Sequence, residues 1–184
     1  MSTKNNQGFT LIEILIAVIL LGVIAAIASP NLLKLMNFTR VKDGIVKVSG
    51  GIQEGQRQAI RLGTACIVTV DTANNEITAV TNETPANNCL LSNRELNDNL
   101  SVATNLDNNG TANNFDINFS SKGTTTFTLV NPDHTAAMFI VYMTSGTDEQ
   151  RCFVIGDSLG ITRTGNYDGD PTAGAGALEP DNCI

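Results

Sequence analysis

The sequence predicts an α+β chain, with one long N-terminal helix packed on an antiparallel β-sheet head. Three observations carry this. Residues 9–62 keep an apolar or amphipathic helical pattern. From Gly63 the apolar period changes to two. Clusters of Gly, Asn, Asp and Pro then separate the later runs at hairpin spacing. With 184 residues, 42% hydrophobic and 16% charged, the chain can bury a core and is too apolar to be disordered.

The first half of the helix is apolar. Residues 1–8 are polar with one Lys, whereas Phe9 to Ala28 is interrupted only by Thr10, Glu13 and Gly22. Twenty helical residues span about 30 Å, the thickness of a bilayer's hydrocarbon core. A secretory signal would have a shorter apolar run and a small-residue cleavage site. Lys34, Arg40 and Lys42 follow the run, a poor positive-inside signal for an ordinary anchor with its head outside.

Glu13 is the anomaly, because a carboxylate in an apolar helix costs about 2.5–3.5 kcal/mol on insertion. It either reaches back to the headgroups from the helix end or pairs with a cation. The first turns hold none. Cleavage after Gly8 would create one, the α-amino group of Phe9, with a pKa of about 7.7–8.0.

The second half of the helix, residues 30–62, is amphipathic. Val41, Ile45, Val48, Ile52, Gly55, Ala59 and Leu62 form one stripe at alternating spacings of four and three, with Arg40, Lys47, Glu54 and Arg61 off it. Gly44, Gly50, Gly51 and Gly55 each cost about 1 kcal/mol against Ala; they allow close approach to a sheet or mark bends. A single helix over residues 9–62 would be about 80 Å long, too long for a globular core unless half of it serves another surface.

The head follows as short strands. Cys66–Val70 and Glu76–Val80 read as a hairpin about Thr72–Asn75. Residues 81–114 read as a polar connection with one strand near Leu100–Thr104. Phe115–Phe119, Thr126–Val130, Ala137–Met143, Arg151–Ile155 and Leu159–Thr162 complete the set, with turns at Asn131–His134 and Ser145–Asp148. From Arg163 the chain is expected to be irregular.

Gly8-Phe9-Thr10-Leu11-Ile12-Glu13, with the apolar run behind it, resembles the type IV prepilin signal at every position. The resemblance implies cleavage between Gly8 and Phe9 by a prepilin peptidase, N-methylation of Phe9 by the same enzyme, and recruitment of the subunit into a filament through Glu13. It places Gly22 and Pro30 where such helices loosen or kink. It implies four segments: a leader, 1–8; a transmembrane or filament-core half, 9–29; an amphipathic half, 30–62; and an exported head, 63–184. Gln58–Gly63 running into Cys66–Val70, Phe119-Ser-Ser-Lys-Gly123, Arg151–Ile155 and Gly160–Gly165 are similar to the GspH/FimT-type minor pilins and pseudopilins. The expected function is a structural, minor subunit of a type IV pilus or a type II secretion pseudopilus; a major pilin or a DNA-uptake minor pilin is the alternative. Expected partners are other pilin subunits, the peptidase, an inner-membrane assembly platform and lipid. The expected location is the bacterial inner membrane, single-pass with the head outside, and then the filament.

Enzymatic signals are weak, and no cofactor or metal is expected. His134 is the sole His and reads as a surface turn residue. There is no CxxC pair, P-loop or Gly-x-Ser-x-Gly elbow. Asp107–Gly110 and Asp168-Gly169-Asp170 offer oxygen ligands but complete no calcium loop.

Four cysteines, all in the head, fit two disulfides in an oxidising compartment, with three pairings possible. Cys66–Cys89 and Cys152–Cys183 are expected because they would tie the polar connection and the tail to the sheet. Residues 34–62 carry six basic and two acidic side chains, a balance of +4, whereas 63–184 carry four and fifteen, a balance of −11. Tight nucleic-acid binding by the head is not expected, since phosphate recognition needs clustered cations.

Overall fold

The structure is a computed structural model describing residues 9–81, 88–108, 110, 113–145 and 149–184, without the side chains of 27–31. By its contacts the chain divides into two units, Met1–Met36 and Asn37–Ile184. The boundary lies inside the helix α1, Leu11–Leu62, which passes through positions 22 and 30.

In the second unit, β1 (Cys66–Asp71), β2 (Glu76–Thr81), β3 (Arg94–Glu95), β5 (Asn114–Phe119) and β6 (Thr125–Thr126) form a sheet ordered β3-β2-β1-β5-β6. A second sheet contains β4 (Leu100–Thr104), β7 (Ala136–Met143), β8 (Gln150–Gly156) and β9 (Thr162–Asn166), ordered β4-β7-β8-β9. All named pairings are antiparallel. The β1–β2 register closes with Asp71 opposite Glu76, leaving residues 72–75 as the turn. Asp71 holds that turn: its carboxylate accepts the Ala73 and Asn74 N–H groups at 2.9 and 3.0 Å. These bonds, led by the Asn74 amide, keep its carboxyl below the usual range.

The helical stripe is the inner wall of the core. Val41, Ile45, Val48, Ile52 and Ala59 are buried together with Val68, Ile77, Phe119, Phe139 and Phe153. Leu62 departs from the expected stripe and is exposed, because the chain leaves the helix at Gly63, whose φ of +70° ends it.

The glycines are explained by close approach. A Cβ on Gly44 would stand 2.7 Å from Leu100 Cδ1, and one on Gly55 would stand 2.3 Å from Val68 Cγ2. At Gly50 and Gly51 the space is filled by the Arg94 side chain, 3.3 and 3.2 Å from the missing Cβ positions. Arg94 pairs with Glu54 at 2.5 Å. Partial burial raises the Glu54 carboxyl, but the Leu91 N–H, Arg94 and Arg57 outweigh it, leaving its pKa below the usual range. Gly55→Ala is therefore expected to destabilise the head by about 1–3 kcal/mol, overpacking outweighing the better helix propensity. Chemical denaturation of the folded head measures it; a stabilised variant would contradict the close approach.

Two expected strands are corrected, and two further strands appear. Thr126–Val130 is not a strand: β6 stops at Thr126. The chain then pairs with the other sheet's flank, Asp107 N–H donating to the Thr128 carbonyl at 2.9 Å and Val130 N–H to that of Asn105 at 3.1 Å. Leu159–Thr162 is mostly a turn, because the Gly156 N–H closes on the Ile161 carbonyl at 2.9 Å, with Ser158 and Gly160 at φ of 66° and 62°. The third strand of that run is β9, in the segment expected to be irregular. The polar connection also holds an additional strand, β3. Of the expected Ser145–Asp148 turn, residues 146–148 lie outside the described residues.

The tail is a second layer. Tyr167, Leu178 and Cys183 pack on Met138, Ile140, Cys152 and Val154, the face of the second sheet turned away from the main core. Strand β7 is thus buried on both faces, which accounts for its unbroken apolar run. The structure joins Cys66 to Cys89 and Cys152 to Cys183, with Cα separations of 6.1 and 5.8 Å. Replacing either pair by Ser should lower stability by about 3–4 kcal/mol, the chain-entropy value for loops of this length. Denaturant titration with and without reductant measures it; equal midpoints would refute a stabilising role.

Candidate functional site

The functional candidate is the N-terminal segment of α1. Thr10 starts the helix: the Glu13 N–H donates to its carbonyl at 3.1 Å and to its Oγ1 at 3.4 Å. This satisfies one of the orphan donors of the first turn. Glu13 stands in that turn, where a carboxylate also meets the positive end of the helix dipole. None of the ion pairs among the described residues involves Glu13. Gly8 lies outside the described residues. Phe9, next to it, is 78% exposed.

The apolar side chains from Leu11 to Ile24 are exposed along α1. Leaving this many large apolar groups in water is unfavourable by about 25 cal/mol per Å², and such a surface marks a binding or membrane-facing region. Among the described residues, no helix is long and apolar enough to cross a membrane. A Cβ at Gly22 would meet nothing within 4 Å, so no packing among the described residues requires that glycine.

The head offers one cavity of interest, of about 520 Å³, lined by His134, Arg163, Asp133, Glu179 and Asp181 with Ala136, Val154 and Ile161. His134 is half-buried rather than a free surface residue. Its Nε2 lies 3.4 Å from Asn131 Nδ2, and its buried Nδ1 has no hydrogen-bond partner among the described residues. Asp170 spends its carboxylate on its own turn, accepting the Thr172 hydroxyl at 2.6 Å and N–H at 2.9 Å. Those bonds, the hydroxyl first, hold its carboxyl below the usual range.

A buried polar residue unforeseen from the sequence organises the sheet junction. Asn105, wholly buried, donates to the Ala136 carbonyl at 3.0 Å and accepts the Met138 N–H at 2.8 Å. Its amide extends the β4–β7 ladder beyond β4. In sequence it is one Asn in a polar stretch, and nothing sets it apart.

Residues 3–29 match the family described as the prokaryotic N-terminal methylation motif. No curated protein matches the chain in sequence. Among solved structures, the chain is similar to the minor pseudopilin EpsH from the type 2 secretion system of Vibrio cholerae, at 16% identity and TM-score 0.48, covering 68% of this chain and 95% of that one. It is similar also to the type IV minor pilin FimU of Pseudomonas aeruginosa, at 13% identity and TM-score 0.48, covering 71% and 90%. The chain therefore carries the prokaryotic N-terminal methylation motif over residues 3–29, followed in sequence by an α+β head.

Proposed function

We propose that this protein is a structural, non-enzymatic subunit of the minor class in a type IV pilus or a type II secretion pseudopilus. The observation that carries the reading is the methylation motif at the start of a helix whose apolar side chains from Leu11 to Ile24 are exposed among the described residues. A prepilin peptidase cuts between Gly8 and Phe9 and methylates Phe9. Residues 9–29 lodge first in the inner membrane, head outside, and then in the filament core, where Gly22 and Pro30 let the helix bend against its neighbours. An assembly platform moves the subunit from one environment to the other. Glu13 drives the choice between them: unpaired in lipid it is costly, and paired with a neighbour's Phe9 amine it is neutralised.

The test is fractionation. Purified pili or pseudopili from the native host should contain the mature chain at a small fraction of the most abundant subunit. Absence from both would overturn the reading, and parity with the most abundant subunit would make it a major pilin.

The DNA-uptake alternative meets an electrostatic objection. Asp168, Asp170, Glu179 and Asp181 are all exposed, and the one cation among them, Arg163, donates to the Pro180 carbonyl at 2.6 Å. The −11 of residues 63–184 repels a phosphate backbone at long range. The second unit, Asn37–Ile184, which carries the head on the amphipathic half of the helix, should show no micromolar affinity for duplex DNA by fluorescence polarisation at ~0.15 M salt, where the Debye length is about 8 Å. Micromolar binding that weakens steeply with salt would favour uptake instead.

A further inference from the structure

Arg151 is a cation without an anion. It stands on β8 opposite Val141 and Asn166, on the face that carries Phe153 and Ile155 into the main core. Its Cζ lies 5.1 Å from the centroid of the Phe38 ring, and both residues are half-buried. The buried Nε has no hydrogen-bond partner among the described residues, and none of the ion pairs there uses Arg151. A partly desolvated charge with an aromatic ring on one side and no counter-ion is an exception that calls for a partner.

A second cation stands on the same side of the helix. Gln53 Nε2 donates to Thr162 Oγ1 at 3.2 Å, which fixes that side of α1 against β9. Lys42 lies three turns before Gln53 on the same face, about 16 Å along the helix. From Thr162 to Asn166 β9 runs about 13 Å, and Asn166 is the residue opposite Arg151. Lys42 thus comes close to the level of Arg151, one turn beyond Phe38. It is exposed and enters no ion pair among the described residues. The carboxylates nearest in sequence are not spent on these two cations. Asp43 pairs with Lys47 at 3.3 Å, and Glu149 forms no ion pair among the described residues.

The two cations stand at the end of the second unit where the chain enters it, at Asn37. Val41 and Ile45, the next core residues along the helix, lie just inside. Before that boundary in sequence, Leu32, Leu33 and Leu35 expose their side chains, so the apolar stretch continues past residue 29. A stretch longer than the hydrocarbon thickness tilts to keep its side chains in lipid. Phe38 is about 4.5 Å of helix beyond Leu35, a step shorter than the headgroup layer of about 5–8 Å on each side of a bilayer.

We infer that Arg151 and Lys42, with the Phe38 ring behind the guanidinium, bind the phosphate of an anionic phospholipid and hold the head to the bilayer before assembly. The inference rests on the membrane-lodged state proposed above. The terminal N–H groups of Arg151 form a fork that matches two phosphate oxygens, and Lys42 adds a point charge. The −11 of residues 63–184 would otherwise keep the head away from an anionic surface. At this end the two cations offset that repulsion, as juxtamembrane Lys and Arg do at anionic membranes. The site therefore also sets which way the head faces.

Native mass spectrometry of the full-length chain in a mild detergent tests this, with phosphatidylglycerol and phosphatidylcholine of the same acyl chains offered at equal concentration. The chain should retain one phosphatidylglycerol and at least tenfold less phosphatidylcholine. Arg151→Gln combined with Lys42→Gln should lower the retained phosphatidylglycerol at least tenfold, and Arg151→Lys, which keeps the charge without the fork, should lose less. Arg57→Gln with Arg61→Gln removes the same charge elsewhere on the helix and should change nothing. Lys42 is exposed, so Lys42→Gln alone, expected to lower retention several-fold, decides the matter if loss of Arg151 disturbs the fold. Equal retention of the two lipids, indifference to Lys42 and Arg151, or an equal loss in the Arg57 and Arg61 variant would overturn the inference. Displacement of the lipid by inorganic phosphate at the same concentration would make the ligand a free anion and overturn it too. The membrane-lodged reading fails separately: the chain would then be absent from the membrane fraction of the native host. A membrane-borne chain that retains no phosphatidylglycerol refutes the lipid site alone.

Discussion

The mature protein should begin with N-methyl-Phe9, and Gly8→Val should abolish that product. The junction lies between a polar octapeptide and an apolar helix whose first turn is organised by Thr10. A residue before the cut with no side chain fits a tight peptidase site, whereas a β-branched Val adds bulk and restricts the backbone. The effect is expected to be all or none, because no second Gly-Phe junction exists in the sequence. Mass spectrometry of the N-terminal peptide from the membrane fraction decides it. The wild-type chain should lose residues 1–8 and gain 14 Da, about one methyl group; the variant should stay at precursor length. A wild-type chain starting at Met1, or cut after Ala28, would refute the processing step and with it the origin of the Phe9 amine.

Glu13→Ala should leave that processing intact and remove the subunit from filaments. The carboxylate forms no ion pair among the described residues, so its removal breaks none there. Residence in the membrane becomes easier by about 2.5–3.5 kcal/mol. Any defect must then arise where the helix leaves lipid for the filament. There the loss is double: the variant's own pairing goes, and a neighbour's buried amine is left without its partner, a change that typically costs 3–5 kcal/mol. A drop in the filament-to-membrane ratio of at least tenfold is the expected reading by immunoblot. Glu13→Asp, which keeps the charge on a shorter stem, should recover part of it. Normal incorporation of Glu13→Ala would remove the pairing from the mechanism.

The parts of this protein legible in the sequence are those set by local chemistry and by strict periodicity. The methylation motif is contiguous, so residues 8–13 could be read without any fold. The stripe from Val41 to Ala59 was legible because a helix of 3.6 residues per turn repeats its buried face, as was the β1–β2 hairpin because strict alternation meets one buried face. The four cysteines announced disulfides by number, while proximity in the fold selected their partners.

What only the tertiary structure decided concerns contacts between segments distant in sequence. The glycines of α1 left bends and close approach equally open. Val68 and Leu100, brought against Gly55 and Gly44 by the sheets, settle this in favour of close approach. Position 60 reads as one more helix surface residue until the turn at Gly123 comes beside it. The tail looked irregular because its apolar residues, Tyr167, Leu178 and Cys183, follow no period. They cover the far face of β7 and β8 from the turns that follow β9, where no repeat of the backbone enforces one. Asn105 is polar by composition and buried by position, since its amide takes up a carbonyl and an N–H that the end of β4 leaves on β7. Local pattern records the face a segment must bury, but the neighbour against which it buries that face is chosen by the whole chain.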